Sequence, residues 1–140
     1  MAQRTRRAMT VLQVRDVEAA RDFYARLGFA SHGVWTEEGS KEVQFCIVQR
    51  GEVTLALQLS RAPELARNTH WAAYVYVDDV TALEEEFQAA GITLARLPED
   101  APYGCRDFDV TDIDGHLIAF GQDLHVDAYG PGLGPERGKG

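Results

Sequence analysis

The chain has 140 residues, with 22 acidic against 14 basic side chains and a net charge of −8. This length suits one domain with a buried core, and the acidic balance argues against a nucleic-acid backbone as partner. No apolar run is long enough to span a membrane, and the basic segment MAQRTRRAMT is not followed by a signal-type apolar core. We therefore expect a soluble, cytoplasmic protein that binds neither nucleic acid nor membrane.

The first predicted elements are a strand over 9–14 and a helix over 16–29, DVEAARDFYARLGF. In the helix, the apolar residues recur at i, i+3, i+7 and i+10, which makes one stripe for packing. Asp16 and Gly28 occupy the positions of an N-cap and a left-handed C-cap, so we expect structural roles for both. Three strands are then predicted over 29–35, 42–49 and 52–59.

The same order of elements returns in the second half of the chain, at an offset of 63 residues (79 − 16). A strand over 72–77 precedes the helix DVTALEEEFQAAGI over 79–92, and strands follow over 92–97, 105–111 and 116–121. Two βαβββ modules, 9–60 and 70–122, are predicted within a single α+β domain spanning 1–124. Residues 125–140 are rich in Gly and Pro, and we expect a flexible tail.

Strand parity predicts which side chains point away from the helices. Alternate residues of a strand face opposite sides of the sheet, so Gln13 in the first strand, and Tyr74 and Tyr76 in the fifth, share the face opposite the helix. A face that carries tyrosines suits the wall of a ligand cleft. Packing against a second subunit or within the sheet core explains the tyrosines equally well, and both alternatives stay open.

Three segments of the sequence resemble the vicinal oxygen chelate superfamily, which includes glyoxalases, extradiol dioxygenases, and the bleomycin and fosfomycin resistance proteins. They are VRDVEAARDFYARLGF, VDDVTALEEEFQAAGI and PYGCRDFDVTDIDGHLIAF. The resemblance covers residues 9–122. It implies that the two modules form a curved mixed sheet around a cleft. It also implies that VTDIDGHLIAFG, with its two aspartates and a histidine, is a tight turn before the last strand rather than a metal site.

The resemblance implies four metal-ligand positions, usually His and Glu, on the first, fourth, fifth and eighth strands. Here they fall on Met9, Gln58, Ala72 and Ala119. A thioether, an amide and two methyl groups do not make a competent metal site. We expect no metal, no cofactor and no catalytic residue. The alternative is a metal-dependent lyase or dioxygenase whose ligands are misplaced, and His70, two residues before the fifth-strand position, would be one of them.

The resemblance is closest to metal-free bleomycin resistance proteins, through VLQVRDVEAARDFYARLGF, NTHWAAYVYV and PYGCRDF. It implies a non-enzymatic protein that sequesters a small cationic, aromatic antibiotic in the groove of a homodimer, by stacking and charge complementarity. The ligand-binding residues expected on this basis are Gln13, Trp35, Phe45, Gln58, Trp71, Tyr74, Tyr76, Tyr103 and Arg106.

Two further alternatives remain at this stage. Arg106, Asp107 and Asp109 could face the mouth of the cleft, but a solvated strand face is the favoured interpretation of the two aspartates. A regulatory role in which the fold merely dimerises is also open, and it predicts no enclosed pocket.

Overall fold

The computed structural model describes residues 1–125, so the predicted tail over 125–140 lies outside the described residues except for His125. Chain contacts divide the protein into two compact units, one spanning Met1–Arg67 and the other beginning at Asn68. Each unit contains one βαβββ module and is described separately. In the described residues no helix is both long and apolar enough to cross a bilayer.

The first module forms a four-stranded sheet with the strand order β1-β4-β3-β2. Its elements are β1 (Thr10–Val14), α1 (Val17–Arg26), β2 (Ala30–Thr36), β3 (Val43–Arg50) and β4 (Val53–Leu59). The β1–β4 pair is parallel, whereas β3 runs antiparallel to both β2 and β4. Helix α1 packs against β2, β3 and β4.

The second module repeats this topology with the strand order β5-β8-β7-β6. Its elements are β5 (Trp71–Tyr76), α2 (Val80–Ala89), β6 (Arg96–Asp100), β7 (Cys105–Thr111) and β8 (Leu117–Asp123). The β5–β8 pair is parallel, and the other two pairs are antiparallel. The predicted α+β fold with two βαβββ modules is confirmed.

Both helices begin and end as the sequence predicts. The carboxylates of Asp16 and Asp79 each accept a hydrogen bond of 3.0 Å from the backbone N–H three residues later. Gly28 and Gly91 follow the helices with φ of 86° and 79°, a left-handed conformation that a side chain would oppose. These aspartates and glycines therefore have structural roles.

Three phenylalanine rings show which face of the second sheet the helix covers. Phe87 of α2 contacts Phe108 and Phe120 edge to face, with ring centroids 5.8 and 5.1 Å apart. Phe120 is also the register partner of Val75 in β5. Tyr74 and Tyr76 alternate with Val75, so they lie on the opposite face. We call the face of each sheet opposite its own module's helix the far face.

Strand β6 differs from its prediction. It was expected over 92–97 but spans Arg96–Asp100. Ile92 still belongs to the helix terminus, because its N–H bonds to the Phe87 carbonyl at 2.9 Å and its side chain is 6% exposed. Pro98 is tolerated since β6 is an edge strand, with a register shift between Arg96 and Glu99.

The segment VTDIDGHLIAFG forms the predicted turn between β7 and β8. The buried Asp112 carboxylate accepts hydrogen bonds of 2.9 Å from the N–H groups of Asp114 and His116. Gly115 adopts a φ of 88°. The first carboxylate of the segment therefore holds the turn together, as in an Asx turn.

The N-cap of α2 provides a test of this local account. We expect Asp79→Ala to lower the free energy of unfolding by about 1 kcal/mol, because the first helical turn loses its side-chain acceptor. Urea denaturation measures the change, and Asp78→Ala is the matched control at the neighbouring exposed position. Equal effects of the two substitutions would contradict the capping role.

Candidate functional site

Two rows of side chains cross the far face of the second sheet. Strand register sets these rows, because register partners on adjacent strands point to the same side. The first row contains Tyr74, Ala119, Asp109 and Arg96, and the second contains Tyr76, Gly121, Asp107 and Glu99. Aromatic groups thus lie at one end of each row and charged groups at the other.

Asp107 is completely buried and is contacted by three donors. Its Oδ2 accepts hydrogen bonds from the hydroxyl groups of Tyr74, at 2.9 Å, and Tyr103. Its Oδ1 accepts from Nη2 of Arg96 at 2.5 Å. A buried carboxylate needs a compensating charge and hydrogen bonds, and this one has both.

Asp109 is 5% exposed and is bound by the same guanidinium group. Arg96 Nε and Nη2 donate to its two oxygens at 2.9 and 3.0 Å, and the indole N–H of Trp71 donates to Oδ1 at 3.1 Å. Arg96 Nη1 also bonds to Glu99 at 2.9 Å. Arg96, Glu99, Asp107 and Asp109 constitute the arginine–carboxylate network.

The expectation that Asp107 and Asp109 form a solvated strand face was wrong. Both are buried, because Arg96 on the neighbouring strand supplies the charge that their burial requires. Sequence reasoning missed Arg96, since β6 was placed too early and the residue stood near its predicted end. A correct β6–β7 register would have revealed it, because Arg96 and Asp109 are cross-strand partners.

Four aromatic residues predicted to bind ligand come together beside this network. Trp71 lies 5.0 Å from Tyr74 and 6.2 Å from Tyr103 between ring centroids, and both contacts are edge to face. Tyr74 lies 4.9 Å from Tyr76 and 6.4 Å from Tyr103. Trp71, Tyr74, Tyr76 and Tyr103 constitute the aromatic cluster. His70 stacks on Trp71 at its outer edge, with ring centroids 4.5 Å apart.

The surroundings keep the phenol groups neutral. Burial raises the pKa of Tyr74, and its hydrogen bonds to Cys105 and Asp107 raise it further. Burial raises the pKa of both Tyr103 and Tyr76. For Tyr103, the hydrogen bond to Asp107 raises the pKa further. The pKa of Arg96 is also raised, chiefly by its hydrogen bond to Asp109. The cluster therefore presents un-ionised rings beside one cation and three carboxylates.

The first module carries a separate groove of about 380 Å³, lined by Trp35, Gln44, Phe45, Gln58 and Leu59. Strand register places Gln13 opposite Gln58, Gln58 opposite Phe45, and Phe45 opposite Trp35, which makes a single row across the far face. The Trp35 side chain is 56% exposed. The groove offers two aromatic rings and two amides but no charged side chain.

Arg106 belongs to neither group. It alternates with Asp107 along β7, so it shares the helix-covered face with Phe108. Its Nη1 is paired with Asp100 at 2.9 Å. The structure thus brings eight of the predicted ligand-binding residues into two groups and does not bring Arg106 to either.

The module repeat relates the expected metal position on the eighth strand to a residue of the fourth strand. Val11 is the register partner of Ala56, and Tyr74, which is 63 residues later (74 − 11), is the partner of Ala119. The residue equivalent to Ala119 is therefore Ala56, and the expected fourth-strand position, Gln58, is equivalent to Gly121. The side chain of Ala56 is fully buried and has no donor atom.

The four positions do not fit a divalent metal. They are Met9, which precedes β1, the amide of Gln58 in β4, and the methyl groups of Ala72 and Ala119. Metal sites of this kind need nitrogen or oxygen donors that converge on one point. Within residues 1–125, no group of three or more His, Cys, Asp or Glu side chains is arranged to hold a metal ion.

Gly121 provides a test of the aromatic cluster. A Cβ at this position would lie 1.9 Å from the Tyr74 hydroxyl oxygen and 2.5 Å from Cζ. We expect Gly121→Ala to displace the ring and to destabilise the protein by about 1–3 kcal/mol, measured by urea denaturation. The control is the same substitution in a Tyr74→Ala background, where the clash is absent. An equal cost in both backgrounds would contradict the close approach.

The raised tyrosine pKa values predict a pH response. The ordinary tyrosine pKa is about 10, so the stability contributed by neutral Tyr74 is present below that value and is lost as pH rises towards the folded pKa. At about pH 11, the folded protein and Tyr74→Phe should show equal phenolate absorbance, with far-UV circular dichroism confirming the fold. In denaturant they should differ by one tyrosine. A one-tyrosine difference in the folded state would contradict the prediction.

Comparisons with known proteins agree with the fold. Residues 6–120 match the family model described as "Glyoxalase/Bleomycin resistance protein/Dioxygenase superfamily". Similar structures include a bleomycin resistance determinant encoded on transposon Tn5, with 25% identity, a TM-score of 0.66, and coverage of 86% of this chain and 100% of that one. A bleomycin-binding protein complexed with bleomycin has 22% identity, a TM-score of 0.65, and coverage of 85% and 99%.

An enzyme is among the similar structures as well. Lactoylglutathione lyase from Agrobacterium tumefaciens has 20% identity, a TM-score of 0.63, and coverage of 86% of this chain and 96% of that one. No curated protein sequence matches the chain. The family match spans most of the chain and agrees with the two βαβββ modules, and the protein therefore belongs to the glyoxalase/bleomycin resistance protein/dioxygenase superfamily.

Proposed function

We propose that this protein is a non-enzymatic binding protein that sequesters a small cationic, aromatic molecule, such as an antibiotic of the bleomycin type. It would act as a cytoplasmic homodimer and confer resistance by withholding the molecule from its target. The observation that carries the proposal is the combination of aromatic side chains on the far faces with the lack of metal donors at the expected positions. Where a metalloenzyme of this superfamily needs donors, the chain has Met9, Gln58, Ala72 and Ala119.

The groove of the first module supports a flat ligand. Its volume of about 380 Å³ lies within the range of small-molecule sites, and Trp35 and Phe45 offer ring faces for stacking. Gln44 and Gln58 add amides that can both donate and accept hydrogen bonds. A planar group with polar edges would match this lining.

The charge distribution supports a cationic ligand. In the arginine–carboxylate network, one guanidinium group faces three carboxylates. The whole chain also carries a net charge of −8, which attracts cations over longer distances. Neutral phenol rings beside this excess of carboxylates favour cations over anions by charge and by contact with the ring faces.

The similar structures support both this proposal and its rival. Two of them are a bleomycin resistance determinant and a protein bound to bleomycin, whereas a third is a lyase. The donor set supports sequestration, since a thioether, an amide and two methyl groups do not make a competent metal site. Elemental analysis of the purified protein is a direct check, and a stoichiometric divalent metal would favour the enzyme.

Calorimetric titration with bleomycin and other cationic aromatic drugs tests the binding function. Trp35→Ala should weaken binding about tenfold or more, because a stacked aromatic ring contributes on the order of 1–3 kcal/mol. The matched control is Val34→Ala, since the neighbouring Val34 is similarly exposed but points to the other side of β2. Equal affinities of the two variants would contradict the role of the groove, and no binding by any drug would contradict sequestration.

A further inference from the structure

We propose that Arg96 is the positioning residue of the aromatic cluster: through the two buried carboxylates, it fixes the rings that we assign to ligand binding. The inference rests on the proposed function only in assigning these rings to ligand binding. The ordering itself is a property of the protein without ligand. Sequence patterns gave Arg96 no role, and it contacts none of the rings through a hydrogen bond of its own.

The first step is the way in which a single guanidinium group serves both carboxylates. Nη2 of Arg96 bonds to Asp107 at 2.5 Å and to Asp109 at 3.0 Å, while Nε reaches the other oxygen of Asp109 at 2.9 Å. Nη1 bonds to the backbone carbonyl of Asp107 at 3.4 Å. This fork geometry is particular to arginine, since the compact ammonium group of lysine has no planar set of donors.

The second step connects the carboxylates to the rings. Oδ2 of Asp107, which Arg96 does not bind, accepts hydrogen bonds from the aromatic cluster, whereas Oδ1 of Asp109 is shared between Arg96 Nη2 and the cluster. Asp107 accepts from Tyr74 and Tyr103, and Asp109 accepts from the Trp71 indole. The two carboxylates are 0% and 5% exposed, and among residues 1–125 Arg96 is the only cation paired with them. Each ring donor is therefore held by an acceptor whose own position depends on Arg96.

The third step is the consequence of removing the guanidinium group. Two carboxylates on adjacent register rows would then lie close together without a cation between them. Buried carboxylates in that situation take up a proton, admit water or move apart. Each response changes the acceptors offered to Trp71 and to the tyrosines. We expect the rings to lose their fixed orientation while the sheet and helix remain.

The experiment follows Trp71 in the full chain, in a Trp35→Phe background that leaves it as the sole tryptophan. Arg96→Met should raise the acrylamide quenching constant about twofold and reduce the near-UV circular dichroism, since the indole loses its ordered acceptor. The matched control is Arg106→Met. Arg106 pairs with Asp100 at 2.9 Å, the same distance as between Arg96 Nε and Asp109, and both pairs join β6 to β7, but the Arg106 pair lies on the helix-covered face.

Arg96→Lys separates positioning from simple charge compensation. Lysine keeps the cation without the fork, so we expect a quenching constant between those of the parent and Arg96→Met. All spectra are taken at a temperature where far-UV circular dichroism shows the variants folded. If Arg96→Met does not fold, Arg96→Lys decides alone. The proposal is overturned if Arg96→Met is folded and has the parent's quenching constant. If only Arg96→Lys folds, the parent's quenching constant in Arg96→Lys overturns it.

Titration with bleomycin of the parent and of the same Arg96 substitutions, now with Trp35 retained, keeps this inference distinct from the proposed function. Disordered rings in Arg96→Met, together with weaker bleomycin binding, support both. Disordered rings with no bleomycin binding by any variant support the positioning role and contradict sequestration. Unchanged rings contradict the positioning role whether or not the parent binds bleomycin.

Discussion

The ion pair between Arg96 and the buried Asp107 is the interaction on which the far face of the second module depends. A fully buried carboxylate at the centre of a sheet is costly, and it is tolerated here because a guanidinium group and two phenol hydroxyls satisfy it. Once Asp107 is fixed, Tyr74 and Tyr103 have a common anchor. Gly121 leaves the space that the Tyr74 ring needs. The positions of these two phenol rings therefore depend on one charged pair.

The two modules share a topology but use their far faces differently. Gln13 and Gln58 of the first module correspond by the 63-residue offset to Tyr76 and Gly121 of the second. The first face retains amides and exposed rings around a groove, whereas the second has charges and phenols that satisfy one another. The shared fold does not dictate chemistry, because the residues that differ lie at the same register positions.

The fold could be predicted from the sequence because helix periodicity, caps and the repeat all indicated the same architecture. The Asp79 cap and the turn at Asp112 depend on contacts within a few residues, which spacing reveals. The site was predicted less fully. Tyr74 and Tyr76 followed from strand parity and the other aromatic residues from the family resemblance, but Arg96 and the burial of Asp107 depend on the register of an edge strand. Strand β6 begins later than predicted because the backbone N–H of Ile92 is bonded to the Phe87 carbonyl at the end of α2.

Recovery of the ligand from its complex tests the central claim, that this chain binds without reacting. The full protein is saturated with bleomycin, the complex is isolated, and the ligand is released by denaturation and its mass measured. Sequestration predicts that the mass of bleomycin is unchanged after prolonged incubation, with one stable complex throughout. A ligand that is converted to a product of different mass, at more than one equivalent per protein chain, would contradict the account.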